Sequence, residues 1–357
     1  MTLDPNIKNE KSSKRKINAI ERRWYQDSPG VLTVLKPLEN LFEYLATRRK
    51  NSLQNQSYLP PVPTIIVGNI SVGGTGKTPI VIALVRYLQE RGYSPGVVSR
   101  GYGRKDQSLH IVEKGSKAED VGDEPLLIFN EVRCPVAVHA DRSFASKTLI
   151  EQKKINILVA DDGLQHYRLD RHIEIAVVDG QRLFGNGHCL PVGPLREPVE
   201  RLNDVHCVIV SNGSEKQIKP LSLQTIDTPL FYADVHPVIW RSVCGNKELP
   251  LDTFSQVTVH AVAGIGQPEK FFQSLETLKI PFKRHEFPDH HNYQRNDFKF
   301  LFEKDKIDKH EQKPCLMTSK DAVKCRGFDL PNSWYLDIRL QLPSEFYKAL
   351  DSWIDKV

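Results

Sequence analysis

Apolar runs typical of buried strands alternate with helical patterns along most of the chain. Strand-like runs occupy residues 65–67, 95–99, 135–138, 155–160, 173–178 and 205–210, and helical patterns occupy 80–88, 124–132 and 143–152. This rhythm predicts a parallel sheet with crossover helices. A second alternation begins at 257–263 and continues through 314–317 and 334–340, whereas 232–251 combines β-forming residues with turns and is typical of a connector.

Residues 28–50 show a strongly amphipathic helical pattern. The apolar residues that recur at helical spacing are Val31, Val34, Leu35, Leu38, Leu41, Phe42 and Leu45. Pro37 should kink this helix, and basic or aromatic residues flank it at 22–25 and 48–50. Such a helix can lie in the headgroup region of an anionic membrane. Most amphipathic helices instead pack on their own domain, and this segment alone does not decide between the two.

Composition and charge exclude several classes of protein. With 39% hydrophobic and 26% charged residues the chain is an ordinary globular one, and a net charge of +5 is too small to indicate a nucleic-acid partner. The six cysteines show no C-x-x-C spacing, which favours a reducing cytosol over a disulfide framework or a zinc ribbon. We expect a chain that is neither secreted nor membrane-spanning, because it has no signal-peptide pattern and no apolar run long enough to cross a bilayer.

The segment 68–79, GNISVGGTGKTP, lies between a strand-like run and a helical one, as a phosphate-binding loop requires. Its backbone amides can converge on an anion, the lysine supplies a mobile charge, and the threonine hydroxyl can reach magnesium. The residues assigned to nucleotide binding are Gly73, Gly74, Thr75, Gly76, Lys77 and Thr78. The usual spacing GxxxxGK[ST] would place a glycine at position 71, where this chain has Ser71, so the loop is a variant.

Paired carboxylates follow the strand-like run 155–160. Asp161 and Asp162 are expected at the carboxyl edge of the sheet, where open parallel sheets bind ligands. Hard oxygen ligands suit Mg²⁺, so either acid can bind the ion while Thr78 supplies another position. A plain Asp-Gly turn is the alternative for this segment.

These patterns predict an α/β fold, with a P-loop NTPase-like, mostly parallel sheet flanked by helices and a second, smaller α/β domain. We predict a basic N-terminal segment with an amphipathic helix over 1–55, a core domain over 56–225 and a β-rich linker over 226–255. The smaller domain is predicted over 256–357, and its last helix either remains there or returns to the core. We expect a monomer.

Several less common sequence segments occur one after another in a characteristic order along the chain. They are SRGYGR at 99–104, GDEP at 122–125, ADR at 140–142, DDGLQH at 161–166, GPLREP at 193–198, AGIGQP at 263–268, FPDHH at 287–291 and TSKDAVK at 318–324. Together they resemble the tetraacyldisaccharide 4'-kinase family of lipid A biosynthesis, from about Trp24 to near the C-terminus.

The resemblance implies that ATP donates its γ-phosphoryl group to the 4'-hydroxyl of a tetraacylated glucosamine disaccharide 1-phosphate, with Mg²⁺ as the metal. It also implies a peripheral location at the cytoplasmic face of the bacterial inner membrane, because a substrate with four acyl chains stays in the bilayer. The amphipathic helix is then expected to contact the membrane while also packing on the core.

The resemblance further implies individual roles. Asp123 matches the family's base, and His290 matches a histidine of the second domain that pairs with it. Glu197 matches a glutamate near magnesium. Arg142 and Arg196 are candidates for charge neutralisation, on the triphosphate or on the acceptor's phosphate, because guanidinium binds phosphate oxygens in bidentate fashion. Without the resemblance, Asp123 could merely cap a helix and His290 could be a surface histidine.

Other interpretations compete with the kinase. A P-loop GTPase or metallochaperone is one, but no Asn-Lys-x-Asp guanine signature follows the strands. Another is a membrane adaptor with a vestigial loop, which the intact Lys77 and Thr78 oppose, and a third is a different membrane-associated sugar kinase. A metal cluster of His285, His290 and His291 matches no common zinc signature.

Overall fold

The computed structural model describes residues 19–211, 223, 226–302 and 313–357, which form two compact units. The smaller unit contains Ile239–Leu336, and the larger contains the described residues up to Val238 together with Asp337–Val357. Residues 1–18, which carry much of the predicted basic N-terminal segment, lie outside the described residues.

A mostly parallel sheet forms the centre of the larger unit. Its strands are β1 (Thr64–Gly68), β2 (Pro95–Ser99), β3 (His110–Ile111), β4 (Val136–Val138), β5 (Ile157–Asp161), β6 (Ile173–Asp179), β7 (Cys207–Ser211) and the first part of β8 (Leu230–Ser242). They are ordered β8-β7-β6-β1-β5-β2-β4-β3, and of the paired strands in this order only β3 is antiparallel to its neighbour. Every residue of β1 is buried, which is why its sequence is a continuous apolar run rather than an alternating one.

Two helices precede the sheet of this unit, and others connect its strands. They are α1 (Ala19–Trp24), α2 (Lys36–Gln54), α3 (Lys77–Glu90), α4 (Ala118–Val121), α5 (Asp123–Val132) and α6 (Arg142–Lys153). The start of α6 is fixed by Asp141, whose side chain accepts hydrogen bonds from the amides of Ser143 and Phe144. Apolar residues recur at helical spacing in α3, and its inner face is fully buried.

The predicted kinked helix over 28–50 consists of two elements. A 3₁₀ helix spans Gly30–Leu35, and α2 begins directly after it. Pro37 lies in the first turn of α2, where a missing N–H costs no hydrogen bond, so the predicted kink at this proline was wrong.

The smaller unit has its own parallel sheet. Its elements are the end of β8, β9 (Glu248–Leu249), β10 (Val259–Ala263), α7 (Pro268–Thr277), β11 (Phe282–Glu286), β12 (Cys315–Thr318), α8 (Ser319–Cys325) and the start of β13 (Ser333–Gln341). The strands β11, β10, β12 and β13 pair in that order and are parallel. Much of the region predicted as a connector therefore forms β8 and β9, and the chain passes between the units within β8 and within β13.

The last helix, α9 (Ser344–Ile354), belongs to the larger unit. It packs on α3, where the rings of Tyr347 and Tyr87 lie 4.3 Å apart. Asp351 accepts a hydrogen bond of 2.8 Å from the Tyr87 hydroxyl and lies 3.3 Å from the guanidinium of Arg91.

Candidate active site

The phosphate loop connects β1 to α3 in the larger unit. Gly73 and Gly76 have φ angles of 99° and 79°, which only glycine adopts without strain, and Gly76 directly precedes the first residue of α3. A Cβ atom added to Gly74 would meet nothing within 4 Å. The loop therefore presents its backbone at the positive end of a helix, where an anion is favoured.

The first part of this loop is held by pairing with the segment that carries Arg196. Ser71 forms an antiparallel bridge with Leu195, and its neighbours complete the pairing: Val72 N donates to Pro194 O at 2.8 Å, and Arg196 N donates to Ile70 O at 2.6 Å. Ser71 is not among the residues with positive φ, so glycine is not needed at this position. Serine in place of the usual glycine is therefore compatible with the backbone conformation and the pairing at position 71.

Lys77, the first residue of α3, is oriented by two acceptors. Its ammonium lies 3.0 Å from Asn69 Oδ1 and 3.2 Å from Asp162 Oδ1. Asn69 also donates to the carbonyl of Ser71 at 2.8 Å, so one side chain links the lysine to the loop. Sequence reasoning missed Asn69, although its place immediately after a buried strand was a usable signal.

Asp161 and Asp162 lie at the carboxyl end of β5, as predicted. Burial, followed by the nearby Glu124 and Asp162, raises the pKa of Asp161 to about 7, even though Ser99 Oγ donates to it at 3.0 Å. Burial would also raise the pKa of Asp162, but Lys77 together with the two arginines holds it well below the ordinary value. The two adjacent carboxylates therefore differ in environment, because burial disfavours the ionised form of Asp161 whereas three cationic side chains favour that of Asp162.

Arg142 and Arg196 both approach Asp162. Arg142 is buried and donates from Nη2 to the Asp162 carbonyl at 2.7 Å, while its backbone N–H donates to His166 Nε2 at 3.1 Å. Arg196 Nη1 lies 3.5 Å from Asp162 Oδ2. Arg196 and Lys77 thus contact the carboxylate of Asp162 while Arg142 contacts its backbone carbonyl, and the three cationic groups can also bind a phosphate.

Glu197 is buried beside this cluster and is held by neutral donors. Gln165 Nε2 donates to it at 2.8 Å and also to the Asn69 carbonyl at 2.9 Å, and the Tyr167 hydroxyl donates to the other carboxylate oxygen. Tyr167 was not predicted as a site residue, and its spacing from the DDG segment carried no recognisable signal.

The donor set around the loop fits a magnesium ion. Thr78 is the second residue of α3, and the available oxygens are hydroxyl and carboxylate oxygens, which Mg²⁺ prefers. Asp161 Oδ1 is buried and, among the residues described, has no hydrogen-bond partner. Across residues 19–211, 223, 226–302 and 313–357, no group of three or more His, Cys, Asp or Glu side chains is arranged to hold a metal by itself.

Asp123 belongs to the larger unit and His290 to the smaller one. Asp123 is the first residue of α5, is buried, and follows Gly122, whose φ is 90° and where an added Cβ would lie 3.0 Å from the Cα of Gly101. His290 belongs to the smaller unit; its backbone N–H donates to Asp289 Oδ1 at 3.0 Å, and its Nε2 lies 3.4 Å from Lys320 Nζ.

Comparison with known proteins decides the family. The model of the tetraacyldisaccharide-1-P 4'-kinase family, LpxK, matches residues 31–355. The chain belongs to this family. It is 40% identical over 349 residues to the tetraacyldisaccharide 4'-kinase of Hahella chejuensis, covering 95% of this chain and 97% of the relative. It is 42% identical over 339 residues to that of Stenotrophomonas maltophilia, covering 94% and 96%.

The fold agrees with a solved member of this family. LpxK from Aquifex aeolicus, in complex with ATP, aligns with a TM-score of 0.74 and 27% identity over 91% of this chain and 99% of that one. The predicted α/β fold, the family resemblance and the assignment as a kinase of lipid A biosynthesis are confirmed. Within the described part of the chain, no helix combines the length and apolarity needed to cross a bilayer.

Proposed function

We propose that this kinase transfers the γ-phosphoryl group of ATP to the 4'-hydroxyl of a tetraacylated glucosamine disaccharide 1-phosphate. The observation that supports this best is the position of Lys77, which is held between Asn69 and Asp162 beside two arginines in a family of kinases that act on such a lipid. The solved relative from Aquifex aeolicus contains ATP, which supports ATP as the donor here.

Phosphoryl transfer passes through a loose, anionic transition state, so the protein mainly positions the reactants and supplies positive charge. The amides of the phosphate loop and Lys77 hold the β- and γ-phosphates. Arg142 and Arg196 neutralise charge, and their shared contact with Asp162 keeps both guanidinium groups at the carboxyl edge of the sheet.

Thr78, Asp161, Asp162 and Glu197 are the residues that would hold Mg²⁺. When bound, the ion would supply positive charge that offsets the negative charge of the donor's phosphates. The buried, unpartnered Oδ1 of Asp161 is the feature of this site that best fits a metal ligand.

The acceptor hydroxyl must lose a proton, and we assign this step to Asp123. A carboxylate base typically contributes about 10²–10⁴-fold to such a step. Asp123 is buried and is the first residue of α5. His290 is the proposed partner of this base, because the FPDHH segment at 287–291 resembles the part of the family that carries such a histidine.

An anionic membrane surface at the cytoplasmic face of the inner membrane is the second proposed partner. Side chains on one face of the 3₁₀ helix and α2 are strongly exposed, with Val31 at 72% and Val34 at 79%, while Leu32 and Glu39 on the other face are buried. The helix thus packs on its own unit and still presents an apolar face, flanked by Arg48 and Arg49. Such a face is expected to lie in the headgroup region near the acyl chains of the substrate.

The function is tested by incubating the purified protein with ATP, Mg²⁺ and the lipid disaccharide 1-phosphate in detergent micelles. Mass spectrometry should show a lipid product carrying one added phosphate, and GTP should support the reaction less well. The Lys77→Ala variant is the matched control and should give little product. Nucleotide hydrolysis by the wild-type protein with no phosphorylated lipid would contradict the proposal.

A further inference from the structure

We propose that Glu39 is a positioning residue for the nucleotide site, acting through residues 188–196 on the phosphate loop. This inference rests on the proposed binding of ATP at that loop. It assigns to α2 a role in holding the catalytic machinery, in addition to the proposed membrane contact.

Glu39 is a buried acid on a helix whose other face is exposed. Only 6% of its surface is accessible, and its carboxylate accepts from the backbone N–H of Cys189 at 2.7 Å. The ring nitrogen Nδ1 of His188 lies 3.0 Å and 3.2 Å from its two oxygens. A buried carboxylate is costly unless it is satisfied, so these contacts fix its position.

The segment that Glu39 contacts is a tightly bonded turn. Leu190 N donates to Leu195 O at 2.8 Å, Leu195 N donates to His188 O at 3.1 Å, and Gly193 N donates to Cys189 O at 2.9 Å. Asn186 closes the turn from its other side, because its Nδ2 donates to Val192 O at 3.0 Å. A displacement of Cys189 is therefore transmitted to Leu195 rather than absorbed within the turn.

The far end of the turn is the strand-like partner of the phosphate loop. Leu195 bridges Ser71, and the flanking bonds join Pro194 to Val72 and Arg196 to Ile70. Arg196 in turn lies 3.5 Å from Asp162. A continuous path of hydrogen bonds and packed backbone thus connects the carboxylate of Glu39 with both the phosphate loop and one of its arginines.

The same turn is fastened to the N-terminal segment at a second point. Trp24 Nε1 donates to Pro191 O at 3.0 Å, and the Trp24 carbonyl accepts from Asn186 N at 2.7 Å. Because these contacts hold α1 to the turn independently of Glu39, loss of the carboxylate should loosen the turn without releasing the whole N-terminal segment.

The test compares Glu39→Ala and Glu39→Gln with Asn40→Ala, an exposed neighbour on the same helix. In Glu39→Ala the Cys189 N–H loses its acceptor, and we expect the KM and Kd for ATP to rise by roughly two- to thirtyfold, the range typical of residues that couple distant sites. The KM for the lipid, measured in micelles, should change less. Glu39→Gln retains an acceptor oxygen and should restore ATP affinity, and Asn40→Ala should behave as wild type.

A purely structural role predicts a different result. If Glu39→Ala lowers thermal stability while its Kd for ATP stays within about twofold of wild type, or if Glu39→Gln is as impaired as Glu39→Ala, the inference is wrong. Should Glu39→Ala fail to fold, Asn186→Ala loosens the same turn from its other side and must raise the KM for ATP in the same way. Failure of the wild-type protein to bind ATP would instead overturn the proposed function.

Discussion

The ammonium group of Lys77 lies 3.2 Å from a carboxylate oxygen of Asp162, and the side chain of Lys77 is only 12% exposed. This ion pair joins the first residue of α3 to the carboxyl end of β5, and Asn69 fixes the lysine from another side at 3.0 Å. The positive charge that a triphosphate needs is therefore oriented by the protein itself, which lowers the reorganisation required during transfer.

Replacing Lys77 by alanine should damage both nucleotide binding and turnover, because its charge contacts phosphate in the ground state and in the transition state. We expect kcat/KM for ATP to fall by about 10²-fold or more, as is typical for loss of a single charge-stabilising group. Steady-state kinetics with varied ATP provide the measurement. Activity within a few-fold of wild type would mean that the phosphate loop is not the donor site.

Asp123→Ala and Asp123→Asn should lower kcat by about 10²–10⁴-fold while leaving the Kd for ATP nearly unchanged, because the carboxylate acts on the acceptor. The asparagine variant keeps the size of this buried side chain, so it separates loss of the base from loss of packing. Asp120→Ala, three residues earlier, serves as the control and should retain turnover. Near-normal kcat in Asp123→Asn would remove Asp123 from the mechanism.

Introducing a charge on the exposed apolar face should weaken membrane binding. Val34→Asp places a carboxylate on a side chain that is 79% exposed, and we expect its partition onto anionic vesicles to fall by about tenfold or more. Thr47→Asp adds the same charge to an exposed position on α2 away from that face. Sedimentation with phosphatidylglycerol vesicles compares them, and equal losses in both variants would point to net charge rather than the apolar face.

The smaller unit should lose stability in mildly acidic solution because of His285. Its Nε2 lies 2.9 Å from Nδ1 of His260, and its ring stacks on Phe300 with centroids 3.8 Å apart. Burial, followed by the adjacent His260 and Lys283, lowers the pKa of His285 to about 4. Between its ordinary pKa of about 6.5 and about 4, the unfolded chain binds a proton that the folded one does not, so stability falls as pH falls through this window.

The loss should be on the order of 2 kcal/mol by about pH 4. Hydrogen exchange of peptides covering β10 and β11, compared at about pH 7.5 and about pH 5 after correction for intrinsic rates, measures it locally. His285→Gln should reduce this pH dependence, and His236→Gln, at an exposed position on β8, should leave it unchanged. An identical pH dependence in His285→Gln and the wild-type protein would contradict the assignment.

Much of the larger unit could be predicted because short stretches of its sequence determine its strands, turns and helix starts. The run 65–67 followed by the glycine-rich segment specifies a strand, a turn with positive φ and a helix N-terminus, and all three are present. The carboxylates after β5 follow from the same rule, since parallel strands share a carboxyl edge.

The rest depends on contacts between residues distant in sequence. Pro37 was compatible with a kink or with a helix start, and only the preceding 3₁₀ helix makes it a start. Ser71 departs from the usual glycine of the phosphate-loop motif. Its bridge to Leu195, more than one hundred residues away in the sequence, explains why a serine is accommodated there. Glu39 lies in an amphipathic helical pattern, in which an acidic residue is normally expected to face solvent. Only the fold places the backbone N–H of Cys189 against its carboxylate.

The central claim is that the phosphate loop delivers the terminal phosphoryl group of ATP to the sugar hydroxyl. The most direct measurement uses ATP labelled with ¹⁸O in the γ-phosphoryl group, together with the lipid disaccharide 1-phosphate and a 4'-deoxy analogue of it. We predict that the phosphorylated lipid carries the label and that the 4'-deoxy analogue gains no phosphate. Label found only in free phosphate, or a phosphate gained by the 4'-deoxy analogue, would contradict the account.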